Sequence, residues 1–237
     1  MESFKDQNLS YIKQEKGGKA LVYTTEFKTE IENKEGLMFD AKKMIDTLAT
    51  DTDNYMTDKE RVGAILENEN IRVVYIGRHR QSKDRKYFKV FVKLDNSEYF
   101  VKRVDIIGEY IGKATLSTGP EELMEMDQIK SDIKDVEDVR VLDYKLGYAD
   151  EKVSYYVAKY EEALENSFDD IMFDQPQITP LKERYYKMLG AVGDAVSQSQ
   201  RRFSDFGGNV AYDKKTDKFI LFDLLMYEGE LDKLKRE

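Results

Sequence analysis

The chain contains no cysteine and only one histidine, His79. It can therefore form no disulfide, thiol nucleophile or thiolate metal site, and one histidine offers little to an imidazole-based metal centre. These absences disfavour zinc chemistry and a serine–histidine triad. No segment approaches the ~18 uninterrupted apolar residues of a membrane helix, and the first residues lack the basic start and apolar run of a secretory signal. We therefore expect a cytoplasmic protein with no membrane contact.

What the chain does contain suits a packed interior with an ionic surface. Of its 237 residues, 41% are hydrophobic and 36% are charged, which indicates a soluble globular protein. The net charge of −9 disfavours nonspecific binding to nucleic acid.

The middle of the chain predicts a small antiparallel sheet with one inserted helix. Segments 71–76, 87–94 and 98–104 are rich in β-branched and aromatic residues and predict a three-stranded meander. A helix is predicted from Thr118 to about Lys134, because Thr118 can cap it and Pro120 suits its first turn. Two further strands are predicted over 139–144 and 153–158, joined through Gly147.

The two ends of the chain give fewer elements. Residues 20–25 are β-like, and helices are predicted over 40–48 and 57–67. After an acidic connector, a long helix begins at Thr179 and keeps an apolar face as far as Phe203. A final hairpin is predicted from strands 209–213 and 218–223, followed by a charged tail.

This order of elements, with an asparagine before the hairpin and an aspartate after it, resembles the protein-kinase-like fold. The resemblance covers about residues 70–225. It implies an α+β, two-lobed fold: an antiparallel five-stranded N-lobe with one helix over 70–160, and a reduced, mainly helical C-lobe with a terminal hairpin over 161–237. Residues 1–69 would form an N-terminal extension with short helices. The truncated pattern also resembles short kinase-like proteins of bacteriophages.

Lys102 and Glu122 are the first candidate site residues. Lys102 lies near the end of the third predicted strand, in the manner of the family's lysine, which neutralises nucleotide phosphates. At ~100° per residue, the apolar helix residues Met126, Ile129 and Ile133 share one sector, and Glu122 lies in its middle. We therefore predict that Glu122 pairs with Lys102; the alternatives are a solvated lysine and a glutamate at the positive end of the helix.

Asn209 and Asp223 are the candidate metal ligands. The resemblance assigns them to magnesium, because in the family an asparagine precedes one strand and an aspartate follows the next. Asp205-Phe206-Gly207 spells the family's metal triplet, but it follows a helix and is interpreted instead as part of the catalytic loop. The position of the catalytic base, five residues before Asn209, is Ser204, so Asp205 is the candidate base only if the loop is one residue shorter.

The nucleotide end departs from the family pattern. The segment 77–86 contains one glycine, Gly77, and five cations, of which Arg78 and Arg80 are the candidates for holding phosphates by charge; a solvated hairpin tip is the alternative. Phe100 replaces the small residue that borders the adenine, and its ring can partly fill that pocket. Only fourteen residues follow Asp223, too few for a peptide-binding platform.

These departures favour a pseudokinase or interaction scaffold that recognises a protein partner and retains possible binding of ATP and Mg²⁺. The first alternative is an active atypical kinase that transfers the phosphoryl group of ATP. The second is a structural or accessory component of a viral assembly, whose likeness to kinases is architectural.

Overall fold

The structure of the chain is a computed structural model that describes residues 9–13, 20–51, 62–78, 85–105, 119–150, 152–165, 179–197, 201–204, 209–222 and 225–228. The chain divides into two compact units. The first comprises Met1–Leu123 and Asp143–Tyr160, and the second comprises Met124–Leu142 and Glu161–Glu237. One boundary between the units therefore falls inside a helix.

The described residues contain three α-helices: α1 (Thr25–Asp51), α2 (Gly119–Asp132) and α3 (Thr179–Ser197). A short 3-10 helix covers Glu162–Glu165. The helix predicted from Thr118 is confirmed as α2, and the helix predicted over 40–48 forms part of the much longer α1. None of the helices in the described ranges is long and apolar enough to cross a membrane.

The strands of the described residues are β1 (Leu9–Lys13), β2 (Ala20–Thr24), β3 (Ile65–Glu67), β4 (Ile71–Arg78), β5 (Arg85–Val92), β6 (Ser97–Asp105), β7 (Val139–Val141), β8 (Tyr144–Ala149), β9 (Val153–Lys159), β10 (Arg201–Ser204), β11 (Val210–Asp213), β12 (Lys218–Leu221) and β13 (Leu225–Glu228). The first unit contains one sheet in the order β1-β2-β8-β9-β6-β5-β4-β3. All of its neighbouring strands are antiparallel. The α+β class, the antiparallel sheet and the meander β4-β5-β6 are confirmed.

The sheet of the first unit is larger than the sequence predicted, with eight strands instead of five. β1 and β2 extend it beyond β8, and β3 pairs with β4 at the other edge. The helix predicted over 57–67 is wrong at its end, because Ile65–Glu67 is this edge strand; residues 52–61 lie outside the described residues. A three-residue strand has too little periodicity to be separated from a helical turn.

The prediction for residues 139–158 is wrong in its pairing. Val139–Val141 pairs with β12 in the second unit, and the sheet strand of the first unit begins only at Tyr144. Gly147 lies inside β8 and pairs with Tyr156, so it is not the turn between the strands. The turn is at Asp150, whose carboxylate accepts hydrogen bonds from the backbone nitrogens of Lys152 and Val153.

The two faces of this sheet carry different residues, because side chains alternate along each strand. One face packs against α1 and forms an apolar core, which includes Ile45 and Ala49 from the helix and Tyr75, Phe88 and Val101 from the strands. Tyr75 and Phe88 pair across β4 and β5 with ring centroids 5.4 Å apart. Burial of these side chains stabilises the first unit by ~25 cal/mol for each Å² of apolar surface removed from water.

The second unit contains two small sheets and α3. β12 pairs antiparallel with β11 and parallel with β7, so the predicted terminal hairpin is confirmed. α3 ends at Ser197, and the prediction that it continues to Phe203 is wrong, because Arg201–Ser204 is a strand paired with Leu225–Glu228. That pairing also places a strand where a charged tail was expected.

Candidate functional site

Lys102 and Glu122 form a buried ion pair in the first unit. Lys102 Nζ lies 2.6 Å from Glu122 Oε1, and the Lys102 side chain is only 1% exposed. The contact predicted from the helical sector is therefore present. Removing two charges from water costs several kcal/mol per ion, and only close, well-oriented pairing offsets that cost. The catalytic roles that the resemblance assigns to the two residues stay predictions.

The surroundings of Lys102 explain why it is buried although it is charged. It lies in β6 directly opposite Tyr87 of β5 and Tyr156 of β9, so its stem lies between two rings on the same face of the sheet. This face is opposite the α1 core. Lysine suits such a position because its four-carbon stem packs against apolar surface while the ammonium reaches a carboxylate.

Half-buried rings flank Lys102 on this face. Phe100, two residues earlier in β6, stacks on Tyr87 with ring centroids 5.7 Å apart and an interplanar angle of 23°. Lys89 Nζ lies 3.7 Å from the ring centroid of Tyr160 and 3.1 Å from a Glu98 oxygen. Chemically, such rings can stack on a planar base or occupy its place.

Tyr156 was not among the residues selected from the sequence. Its ring lies 4.4 Å from that of Tyr144, and it is the cross-strand neighbour of Lys102. Its hydroxyl is buried and has no hydrogen-bond partner among the described residues. A tyrosine in a strand gives no sequence feature from which its burial or pairing could have been predicted.

The opposite face of the sheet holds an ionic cluster that ties α1 to the strands. Arg103 Nε lies 3.1 Å from Asp46 Oδ1, and Lys86 Nζ lies 3.2 Å from Asp105 Oδ2. Lys86 also donates a hydrogen bond of 3.2 Å to the carbonyl of Ala49 in α1. Lys86 is thus neither a phosphate-binding nor a solvated loop cation, and both interpretations of it from the sequence are wrong.

Asp46 makes the stability of this cluster depend on pH. Burial raises the pKa of its carboxyl. Hydrogen bonds from Lys42 and Tyr155 and the nearby positive charges lower this pKa by a larger amount, so it lies below its ordinary value. A lowered folded-state pKa means that the folded protein binds fewer protons than the unfolded chain. The stabilisation is therefore complete above the unfolded pKa of ~4 and is lost as pH falls through the folded pKa.

We predict that Asp46→Asn lowers the free energy of unfolding at pH 7 by about 1–2 kcal/mol, because hydrogen bonds to a charged acceptor are lost. The difference from the parent should shrink between about pH 5 and pH 2, where the parent carboxylate is protonated. Urea unfolding at several pH values measures this difference. Glu162→Gln is the control, since Glu162 and Lys215 form an exposed pair. A difference that is constant with pH would contradict the prediction.

The hairpin of the second unit places Asn209 as predicted, immediately before β11. Val210 pairs with Leu221, and the backbone nitrogen of Phe222 donates a 3.0 Å hydrogen bond to the carbonyl of Asn209. The two ends of the hairpin are therefore adjacent. Asp223, which follows Phe222, lies outside the described residues, as does Asp205. The proposed sharing of a cation by Asn209 and Asp223 stays a prediction.

The phosphate-binding candidates of the first unit are only partly described. The backbone of Arg78 ends β4, but its side chain, together with Arg80 and His79, lies outside the described residues. Gly77 has φ of +150°, at a bulge where the register between β4 and β5 shifts. A residue with a side chain would be strained there, so the local backbone alone accounts for this glycine.

Sequence reasoning also missed two arginine networks in the second unit. Arg140 of β7 donates a 2.8 Å hydrogen bond to Glu161 and lies 3.3 Å from Asp213. Arg184 of α3 lies 3.1 Å from Asp138 and 2.9 Å from Asp217. These residues are far apart in sequence, and Arg140 and Asp213 come together because β7 and β11 both pair with β12. The described residues contain no cluster of three or more acidic, histidine or cysteine side chains that could hold a metal ion.

The helix inserted after β6 and the ion pair between β6 and α2 are features that the resemblance to the protein-kinase-like fold led us to expect. Solved structures similar to this chain include Rad53 1-466 in complex with AMP-PNP, at 10% identity and a TM-score of 0.41, and the Cydia pomonella granulovirus kinase PK-1, at 12% identity and a TM-score of 0.40. The matches cover 71% and 77% of this chain but only 39% and 57% of those chains. Vaccinia related kinase 3 also matches, at 9% identity and a TM-score of 0.31, over 74% of this chain and 54% of that one.

No protein-family model matches the sequence, and no curated protein matches it significantly.

Proposed function

We propose that this chain is a pseudokinase-like protein that binds ATP with Mg²⁺ and acts chiefly as a scaffold for a protein partner. The buried ion pair of Lys102 and Glu122 is the observation that carries the nucleotide part. A glutamate that fixes an ammonium keeps it charged and in place, ready to neutralise phosphate oxygens. A purely structural site would not need this costly pair, since apolar residues of similar volume often stabilise as well.

The metal would be held by Asn209 and Asp223 in this proposal. The hydrogen bond between Phe222 and the Asn209 carbonyl supports it, because it places the residue before Asp223 beside Asn209. Carboxylate and amide oxygens are ligands that Mg²⁺ accepts, but two of them bind it weakly, and nucleotide phosphates normally complete the coordination. When bound, the metal would neutralise charge on those phosphates, so we expect it to bind appreciably only together with nucleotide.

Three features of the chain favour a scaffold over an efficient enzyme. Ser204 stands where the family has its catalytic aspartate, so the residue best placed as a base is absent. The segment 77–86 has a single glycine where the family has a phosphate-covering loop. The stacked rings of Tyr87 and Phe100 reduce the space for adenine on the face of Lys102. The proposal includes a protein partner, because a scaffold acts by binding another protein. Arg78 and Arg80 would contact either the acidic groups of this partner or the phosphates of the nucleotide.

The second candidate function is phosphoryl transfer from ATP. The presence of Asp205, four residues before Asn209, favours it, because a loop shorter by one residue would bring this carboxylate towards a substrate hydroxyl. Transfer of labelled phosphate from ATP that is lost in Asp205→Asn would favour this candidate over the scaffold.

ATP with Mg²⁺ is expected to raise the melting temperature of the chain. A ligand at 100 times its dissociation constant stabilises by ~2.7 kcal/mol, which for a chain of this size is a shift of about 5–11 °C.

Calorimetry on the parent and on Asp223→Asn, each with ATP and Mg²⁺ together, should show at least tenfold weaker binding in the variant. Lys159→Met, which removes an exposed lysine of β9, is the control and should bind as the parent does.

The outcomes of this experiment separate the parts of the proposal. Binding that persists in Asp223→Asn would reject the metal assignment and keep the nucleotide site. Absence of any stabilisation of the parent would reject nucleotide binding altogether and leave two hypotheses, a scaffold that binds a protein partner without nucleotide and an accessory component of an assembly.

A further inference from the structure

A cavity of about 320 Å³ lies between α1 and the sheet of the first unit, on the face opposite Lys102. Its walls are almost entirely apolar. The helix contributes residues from Phe27 to Ile45, and the sheet contributes residues from β4, β5, β6, β8 and β9, such as Val90 and Val157. Small-molecule sites typically have volumes of about 300–1,000 Å³ and a mainly hydrophobic lining, so this cavity is large enough to be a ligand site.

The residues that line the cavity extend along much of α1. Phe27 and Ile45 both line it and are eighteen positions apart, which is about 27 Å at a rise of 1.5 Å per residue. Because the residues that line this space extend so far along α1, we call it the channel. Phe39 lines it too and is 70% exposed, so the channel reaches the surface beside this ring.

The polar groups that line the channel already have partners within the protein. Lys42 Nζ lies 2.8 Å from Asp46, and the hydroxyl of Tyr155 donates to the same carboxylate. The Tyr148 hydroxyl donates a 2.9 Å hydrogen bond to Asp150. Each of these three polar side chains therefore already has a hydrogen-bond partner within the protein. A charged ligand would have to separate Lys42 from Asp46 to gain a partner of its own.

We propose that this channel binds an extended, uncharged alkyl or acyl chain. Water gains little there, because the apolar lining offers it few hydrogen-bond partners. An empty space is also unfavourable, since the lining side chains lose dispersion contacts in proportion to the unfilled volume. A flexible uncharged chain can follow lining residues that extend from Phe27 to Ile45, and it leaves the ionic cluster intact.

The site is independent of the proposed nucleotide site. The residues that line it, such as Val101 and Tyr155, alternate along their strands with Lys102 and Tyr156, which face the other side of the sheet. Binding of an alkyl chain therefore makes no use of Lys102 or Glu122, and a failure of ATP binding would leave this inference standing.

Displacement of a fluorescent probe tests the proposal. We expect 1-N-phenylnaphthylamine, a neutral apolar dye, to gain fluorescence with the full-length chain and dodecan-1-ol to displace it. Dodecanoate and dodecyltrimethylammonium, which have the same chain with a charged head, should be at least tenfold weaker competitors. Ala41→Phe and Val157→Phe, which add a ring at two lining positions, should weaken dodecan-1-ol at least tenfold.

Thr47→Phe is the matched control, because Thr47 is an exposed α1 residue that does not line the channel. It should bind dodecan-1-ol as the parent does. Two ring variants on opposite walls are used in case one of them does not fold. Each must keep a cooperative melting transition. Because the added ring fills the channel, the melting temperature should equal or exceed that of the parent.

Equal binding by the parent and both folded channel variants would overturn the proposal. So would preferential binding of the charged chains. Failure of the parent to bind dodecan-1-ol would also overturn it. If the chain then dimerises with rising concentration in ultracentrifugation and Ala41→Phe abolishes this dimerisation, the surface would be assigned to a second copy of the chain.

Discussion

Replacing Lys102 with methionine is expected to lower the free energy of unfolding by about 3–5 kcal/mol, because it leaves the Glu122 carboxylate buried without the opposite charge that lies 2.6 Å away. For a chain of this size, the melting temperature should fall by about 6–20 °C. Chemical unfolding followed by circular dichroism measures the change. Glu122→Leu, which leaves the Lys102 ammonium buried in the same way, should have a similar cost.

The double variant Lys102→Met/Glu122→Leu distinguishes the ion pair from simple loss of packing. Two apolar side chains of similar volume can pack together, so the double variant should recover most of the stability that either single variant loses. Lys159→Met is the control for removing a lysine from the same sheet and should change the stability by no more than about 0.5 kcal/mol. A cost for Lys102→Met as small as that of Lys159→Met would show that the buried pair does not form in solution.

Phe219→Ala is expected to cost about 3–5 kcal/mol in the second unit, because it empties a fully buried site in the central strand of a three-stranded sheet. Its ring packs against Tyr185 of α3 at 5.7 Å and against Tyr212 of β11 at 5.4 Å. Hydrogen exchange of the hairpin amides should accelerate, since this strand holds the hairpin that begins after Asn209.

Phe219→Leu and Tyr186→Ala are the matched variants for this prediction. Leucine fills part of the site and should cost less than alanine. Tyr186 is a neighbouring aromatic residue of α3 that is 55% exposed, and its removal should have little effect. If Phe219→Ala and Tyr186→Ala were equally mild, β12 would not be the packed centre of this unit.

Local patterns in the sequence predicted the elements that have strong periodicity. The meander β4-β5-β6, helix α2 and the hairpin β11-β12 are all present. The helical sector of Met126, Ile129 and Ile133 also indicated correctly that Glu122 faces inwards, because three buried positions at helical spacing define one face. These features depend on residues that are close together in the chain.

Pairing across long stretches of sequence was not predicted correctly. Val139–Val141 was assigned to the sheet of the first unit, but its partner β12 lies about eighty positions away. The role of Lys86 likewise depends on α1, whose Ala49 carbonyl accepts its hydrogen bond from 37 residues upstream. Neither the strand propensity nor the charge pattern of a segment indicates which distant segment it will pair with.

The sequence by itself determined the α+β class, the inserted helix, the hairpin and the inward-facing Glu122, because periodicity and turn residues act between near neighbours. Only the tertiary structure decided that the N-terminal strands extend the sheet to eight, that α1 covers one face and leaves a channel beneath it, and that Lys102 lies between Tyr87 and Tyr156. Those arrangements result from burying apolar surface and pairing backbone groups across the whole chain, which is a property of the packed molecule and not of any segment.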